Sequence, residues 1–142
     1  SGQCTKNGSN NYGFGVADAA AALTTQTNYA GAGNSIGWWY EGRVYMNGGV
    51  LHNSAGVPNG NIQVAVRVAQ RRVWIRHNGG SWIGGGDPVA NTKPTGTLGG
   101  TGALYIAGSI DPAGTANGVV TLPATVAQVT GTPPAGFQVG VF

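Results

Sequence analysis

Ile62, Val64, Val66 and Val68 alternate with Gln63, Ala65 and Arg67. This period of two predicts a strand over "IQVAVRV", with its branched residues on one face. "VWIRH" repeats the pattern, setting Val73, Ile75 and His77 opposite Trp74 and Arg76, and residues 69–72 between the two runs leave room only for a hairpin turn. Further strands are expected at "YGFGV" (12–16), "IGWWY" (36–40), "RVYM" (43–46), "ALYIAGSI" (103–110), "VVTLPATVAQV" (119–129, broken at Pro123) and "FQVGV" (137–141). Asn-Gly pairs at Asn7, Asn47, Asn59, Asn78 and Asn117 punctuate these runs. Asn and Gly both tolerate the positive φ of tight turns, so the pairs mark chain reversals. "ADAAAAL" (17–23) has the propensity for a turn of helix. Residues 79–102, "GGSWIGGGDPVANTKPTGTLGGTG", show no periodicity at all. A connection that long inside a compact domain is either a working loop or a disordered one.

Composition narrows the class. The chain has 142 residues, 41% hydrophobic and only 8% charged, with 27 Gly and 7 Pro. Disordered chains combine low hydrophobicity with high charge, and this chain has neither. Its length suits one domain spanning 1–142, and the strand pattern makes it all-β. If successive strands run antiparallel, connections 17–35, 47–61, 78–102 and 130–136 fall at one pole. The turns at 41–42, 69–72 and 111–118, with both termini, then fall at the other. The chain begins at Ser1 and reads as the C-terminal part of a longer polypeptide, either processed or expressed as a fragment.

The net charge of +3 and pI of 9.4 reflect few acids more than many bases. Arg67, Arg71, Arg72 and Arg76 surround the expected hairpin turn, where a solvated charge cluster is the simplest reading. No nucleic-acid recognition module accompanies them, so a nucleic-acid partner is not expected. Cys4 stands alone, which excludes an intrachain disulfide. No apolar run approaches the length of a membrane span. Asn7-Gly8-Ser9 has the form of a glycosylation acceptor, a weak pattern.

Catalytic chemistry is scarce. Asp18, Glu41, Asp87 and Asp111 are the only acids, and a glycosidase needs two flanking one bond. Asp87 precedes Pro88 in a "GDP" turn, where Asp ordinarily bonds its own backbone. His52 and His77 have no nucleophile motif beside them and no acids at ligand spacing, so neither metal nor cofactor is expected. Trp38, Trp39, Trp74, Trp82, Tyr29, Tyr40 and Tyr45, with many Asn and Thr, suit sugar recognition, because aromatic faces pack on apolar sugar faces. Each Trp taken singly is better read as core.

One long segment carries a family pattern. A valine-rich strand is followed by a polar turn and Val73-Trp74-Ile75, then Asn78-Gly79, Trp82, Gly86-Asp87-Pro88, and Asn91 with Pro94. "IGWWYEGRVYMNGG" precedes it and "TPPAGF" (132–137) closes it. The order resembles the SPRY-like (concanavalin-like) β-sandwich domains of bacteriophage tail fibre and spike proteins, over residues 36–142. Two features depart from that pattern. The opening strand rich in aromatics and Glu is missing or reduced to "YGFGV", and the turn at 69–72 carries two arginines and no acid.

The resemblance implies a sandwich of two antiparallel sheets with long loops at one pole. It also implies a non-catalytic receptor-binding module on a virion that recognises host cell-surface polysaccharide and sits among other virion tail proteins. Tail fibres are commonly trimeric, so a homotrimer is among the assemblies it allows, although the chain has no coiled-coil heptads. Trp82, Asp87 and Pro88 are then expected to fix the shape of the long loop. Specificity falls to loop positions that the fold does not dictate: Tyr29, Asn34, His52, Asn53, Asn59, Asn91 and Lys93. The main rival is a decoration or connector domain packed within the virion, and a depolymerase comes third.

Overall fold

A computed structural model of the chain describes residues 2–5, 11–21, 34–39, 41–53, 60–111, 119–121 and 133–138. Within them the strands are β1 (Gly2–Thr5), β2 (Asn11–Asp18), β3 (Ser35–Trp39), β4 (Arg43–Met46), β5 (Gly49–Asn53), β6 (Gly60–Arg67), β7 (Arg72–His77), β8 (Gly96–Thr97), β9 (Leu104–Asp111) and β10 (Val119–Thr121). They form two antiparallel five-stranded sheets. The first runs β10-β1-β6-β7-β8 and the second β5-β4-β3-β2-β9. No helix among the described residues is long and apolar enough to cross a membrane.

The fold is a β-sandwich because alternation puts one face of each sheet against the other. Phe14 and Val16 of β2, Ile36 and Trp38 of β3 and Val44 of β4 meet Ile62 of β6, Val73 and Ile75 of β7, and Leu98. Full burial of such side chains is worth about 1.5–3 kcal/mol each. Trp38 also stacks on His77 across the interface, with ring centroids 5.5 Å apart, so this histidine is packed against the core.

The strands expected at 12–16, 36–40, 62–68, 73–77 and 103–110 are present with shifted ends, and "RVYM" coincides with β4. Of the expected 119–129 strand, 119–121 form β10, while 122–129 lie outside the described residues. Three strands were invisible to the period. β1 lies in a stretch that reads as polar, yet it sits inside the first sheet between β10 and β6, carrying Cys4 opposite Gly60 and Val120. β5 falls within the expected 47–61 loop: Asn47 (φ 52) and Gly48 (φ 84) make a two-residue reversal of the left-handed kind that a hairpin favours. β8 is two residues long and lies inside the 78–102 loop.

Other expectations need correction. Ala17 and Asp18 end β2 and are followed by a turn, not a helix, and residues 22–23 lie outside the described residues. Phe137 and Gln138 form no strand, and 139–141 lie outside the described residues. The turn at 69–72, expected at the pole opposite 17–35, carries Arg71, which bonds Asp18, so the two ends are neighbours. The extra strands had broken the parity count. How the long connections distribute as a set depends on 22–33 and 54–59, which lie outside the described residues.

Candidate functional site

The 78–102 loop is ordered, and the arginines of the β6–β7 hairpin hold it. Along β7, Val73 and Ile75 face the core, while Arg72, Trp74 and Arg76 face away from it. That outward face is nonetheless covered: Trp74, Gln63 and Ala65 are buried there. The Trp74 indole N–H donates to the Thr92 carbonyl at 2.9 Å. Arg67 donates through Nε and Nη2 to the Pro88 carbonyl at 3.1 and 3.0 Å, and through Nη2 to Val89 at 3.1 Å. Arg72 Nη1 reaches the Asn91 carbonyl and side-chain oxygen at 2.9 and 3.1 Å. The Arg76 guanidinium lies 4.4 Å over the Trp82 ring. Arg67 also sits 5.2 Å over Phe137 from the closing stretch.

Charged donors to carbonyls are among the stronger hydrogen bonds, and these carbonyls have no ladder of their own. The loop thus becomes a third layer on the first sheet. The arginines are its clamps, which corrects the reading of them as a solvated cluster.

The loop also shapes itself and guards the sheet edge. Asp87 Oδ1 accepts from the Val89 and Ala90 N–H groups, Asp87 and Thr92 exchange backbone bonds, and Pro88 is fully buried. Beyond the short β8, the Ile75 N–H donates to Thr95 Oγ1 at 3.0 Å and the Ile75 carbonyl accepts from Ile83 N–H at 2.9 Å. These bonds occupy the edge of β7 that would otherwise stand open.

A second lock joins the two sheets. Asp18, at the end of β2, has a side chain only 1% exposed and pairs with Arg71 Nη2. Arg71 also donates to the Gly99 carbonyl at 2.9 Å and to the Gly102 carbonyl at 2.7 Å. The Ala20 N–H lowers the Asp18 carboxyl below its ordinary value, with burial opposing and the Arg71 hydrogen bond and charge adding to the lowering.

The loop positions expected to read a ligand are spread over the fold. Asn34 (φ 54) is half-buried with its side chain beside Gly99 and Gly100. Asn91 (φ 58) is bonded to Arg72, and Lys93 (φ 40) is exposed with its carbonyl against Gly86. His52 is half-buried, and a Cβ on Gly84 would come within 3.3 Å of its ring. Asn53 is exposed next to it on β5. Tyr29 and Asn59 lie outside the described residues.

A different group gathers on the outward face of β4 and β5. Arg43 and Tyr45 share that face, with Asn53 opposite Arg43 and Val50 opposite Tyr45. Glu41 Oε1 accepts from Arg43 Nη1 at 2.9 Å and from the Tyr45 hydroxyl at 3.0 Å. The Tyr45 hydroxyl first, then the Glu41 charge, raise the Arg43 guanidinium above its ordinary value. Trp39 meets Tyr45 edge-on at 6.4 Å. The alternation of β4 sets Arg43 and Tyr45 on one face. Of this group, Asn53 is an expected ligand contact and Trp39 and Tyr45 are among the aromatics suited to sugars, whereas Glu41 reads as a turn residue. Among the described residues, no three His, Cys, Asp or Glu side chains gather where they could hold a metal. Compared with protein-family models, curated proteins and solved structures, the chain matches none.

Proposed function

We propose that the chain is a non-catalytic receptor-binding module of a bacteriophage tail fibre or spike that recognises a host surface glycan. The phage setting rests on the family resemblance alone. The observation that carries the binding reading is the contrast between the roofed first sheet and the β5 edge of the second. The first sheet is roofed by its own loop. At the β5 edge of the second, apolar Val50 and polar Asn53 are exposed, with Glu41 and Arg43 half-buried beside them. Such a mixed rim suits the apolar faces and hydroxyls of a sugar. The acids whose side chains are described are each engaged within the fold: Asp18 by Arg71, Glu41 by Arg43 and Tyr45, Asp87 by its own loop. That disposition favours binding over hydrolysis. Several copies on one particle would raise weak single-site affinity by avidity.

A structural role within the virion is the second reading. Val68, 67% exposed, follows Arg67, and Arg67 bonds the carbonyl of Val89, which is 46% exposed. These exposed valines, one on the β6–β7 turn and one on the 78–102 loop, suit packing against another virion protein.

The test is adhesion of the fluorescently labelled domain, multimerised on beads, to candidate host cells before and after polysaccharide stripping. Adhesion lost on stripping is the expected result. Adhesion to no cell would favour the structural role.

A further inference from the structure

We infer that Glu41, Arg43 and Asn53, beside Val50 and Tyr45, form a subsite for vicinal hydroxyls of a neutral hexose; the inference rests on the glycan-binding reading and names its ligand class. Glu41 spends Oε1 on Arg43 and Tyr45, and among the described residues nothing engages Oε2. Arg43 spends Nη1 on Glu41 and Tyr45, and among the described residues nothing engages its Nε or Nη2. Their side chains are 31% and 42% exposed. An acceptor oxygen and a planar donor fork thus stand side by side, already oriented by each other and by the Tyr45 hydroxyl.

Adjacent sugar hydroxyls each donate and accept, so a diol can donate to Glu41 Oε2 while accepting from the Arg43 fork. The Asn53 amide, opposite Arg43 across the strand pair, offers a further donor and acceptor. Val50, 54% exposed and opposite Tyr45, gives an apolar seat for the C–H face of the ring. The ion pair carries no net charge, and an anionic sugar at the fork would meet the Glu41 carboxylate nearby. Neutral hexoses are therefore favoured over uronates. Mutual orientation of Glu41, Arg43 and Tyr45 before binding reduces the entropy lost on docking.

The experiment is a backbone amide NMR titration with the methyl glycosides of galactose, glucose and mannose, and with galacturonate as the anionic control. At least one neutral sugar is expected to shift the amides of residues 41–45 and 50–53, with a millimolar Kd. Glu41→Ala and Arg43→Met are each expected to weaken it by about tenfold or more. Both side chains are half-buried and lie outside the core cluster, so the variants should keep the dispersed wild-type spectrum. The proposal is overturned by any of three results: no shifts there with the neutral sugars at about 100 mM, far above a millimolar Kd; shifts that survive both substitutions; or tighter binding of galacturonate. Whole-cell adhesion separates the two levels. A Glu41→Ala/Arg43→Met double variant that still adheres in a polysaccharide-dependent way sinks the subsite and leaves the glycan reading standing. A wild-type domain that adheres to no cell sinks the glycan reading, while the sugar titration still decides the subsite.

Discussion

The 78–102 loop and the β4–β5 hairpin invert the usual association of regular structure with solidity. The loop has almost no ladder, yet four arginines, a buried proline and an indole N–H tie it to the first sheet. The hairpin is laddered, with one register shift between Val44 and Tyr45, yet every residue of β5 is exposed or half-buried and its outward side chains meet solvent. Order here follows from where backbone carbonyls find donors, not from secondary structure. A segment whose carbonyls are already taken by side chains is poorly placed to adapt to a ligand. An exposed strand on a rigid sheet can present side chains to one.

The sharpest way to break this contrast is to remove the plate between loop and sheet. Trp74→Ala should lower the stability of the folded domain by about 3–5 kcal/mol in urea unfolding. It deletes a fully buried indole and leaves the Thr92 carbonyl with the Asp87 N–H alone. Gly86 lies so close to the Lys93 carbonyl that any Cβ there would displace backbone. Gly86→Ala should therefore lower stability by about 1–3 kcal/mol, read in the same assay. Asn91→Ala loses the side-chain acceptor of Arg72 and puts Ala at positive φ, for about 1–2 kcal/mol, whereas Asn91→Gly keeps the backbone at ease and should lose less. On the hairpin, Val50→Thr should change stability by less than about 0.5 kcal/mol, since Val50 is mostly in water. A Val50 effect as large as that of Trp74 would erase the distinction between the regions.

Acid sharpens the same comparison at the Asp18–Arg71 lock. The folded carboxyl titrates below its unfolded value of 3.8, so the stabilisation it brings is full above that value. It is lost as pH falls through the lowered folded value. Asp18→Asn should therefore flatten the fall of stability below pH 3.8 relative to wild type, followed by thermal unfolding across an acid series. An identical acid profile in the variant would place the lock elsewhere.

How much of this was readable in the chain varied with the physics involved. β6 and β7 were plain because their core residues alternate with residues of another kind. β5 was hidden because "GVLHN" has little alternation, although Asn47-Gly48, a two-residue hairpin signal, was in view and pointed to it. β1 was hidden because its residues are polar or small, and strand pairing there is a matter of backbone. The arginine clamps could not be read, since which carbonyls a guanidinium reaches depends on how the loop returns across the sheet. Period alone gave Trp74 the outward face and could not show that the loop roofs it. The Glu41–Arg43–Tyr45 group was half legible, its shared face following from the alternation of β4 and its partner Asn53 only from the register of β5.

Amide hydrogen exchange resolved by residue tests the central claim most directly, because it reads the loop's bonds one by one. The account predicts slow exchange at Ile83, Thr92 and Leu98, whose N–H groups donate to Ile75, Asp87 and Arg71. In Arg72→Ala and Arg67→Ala, the Asp87 and Thr92 amides should become faster while those of β6 and β7 stay protected. Exchange across residues 80–98 as fast as in an unstructured chain, or unchanged when the arginines are removed, would contradict it.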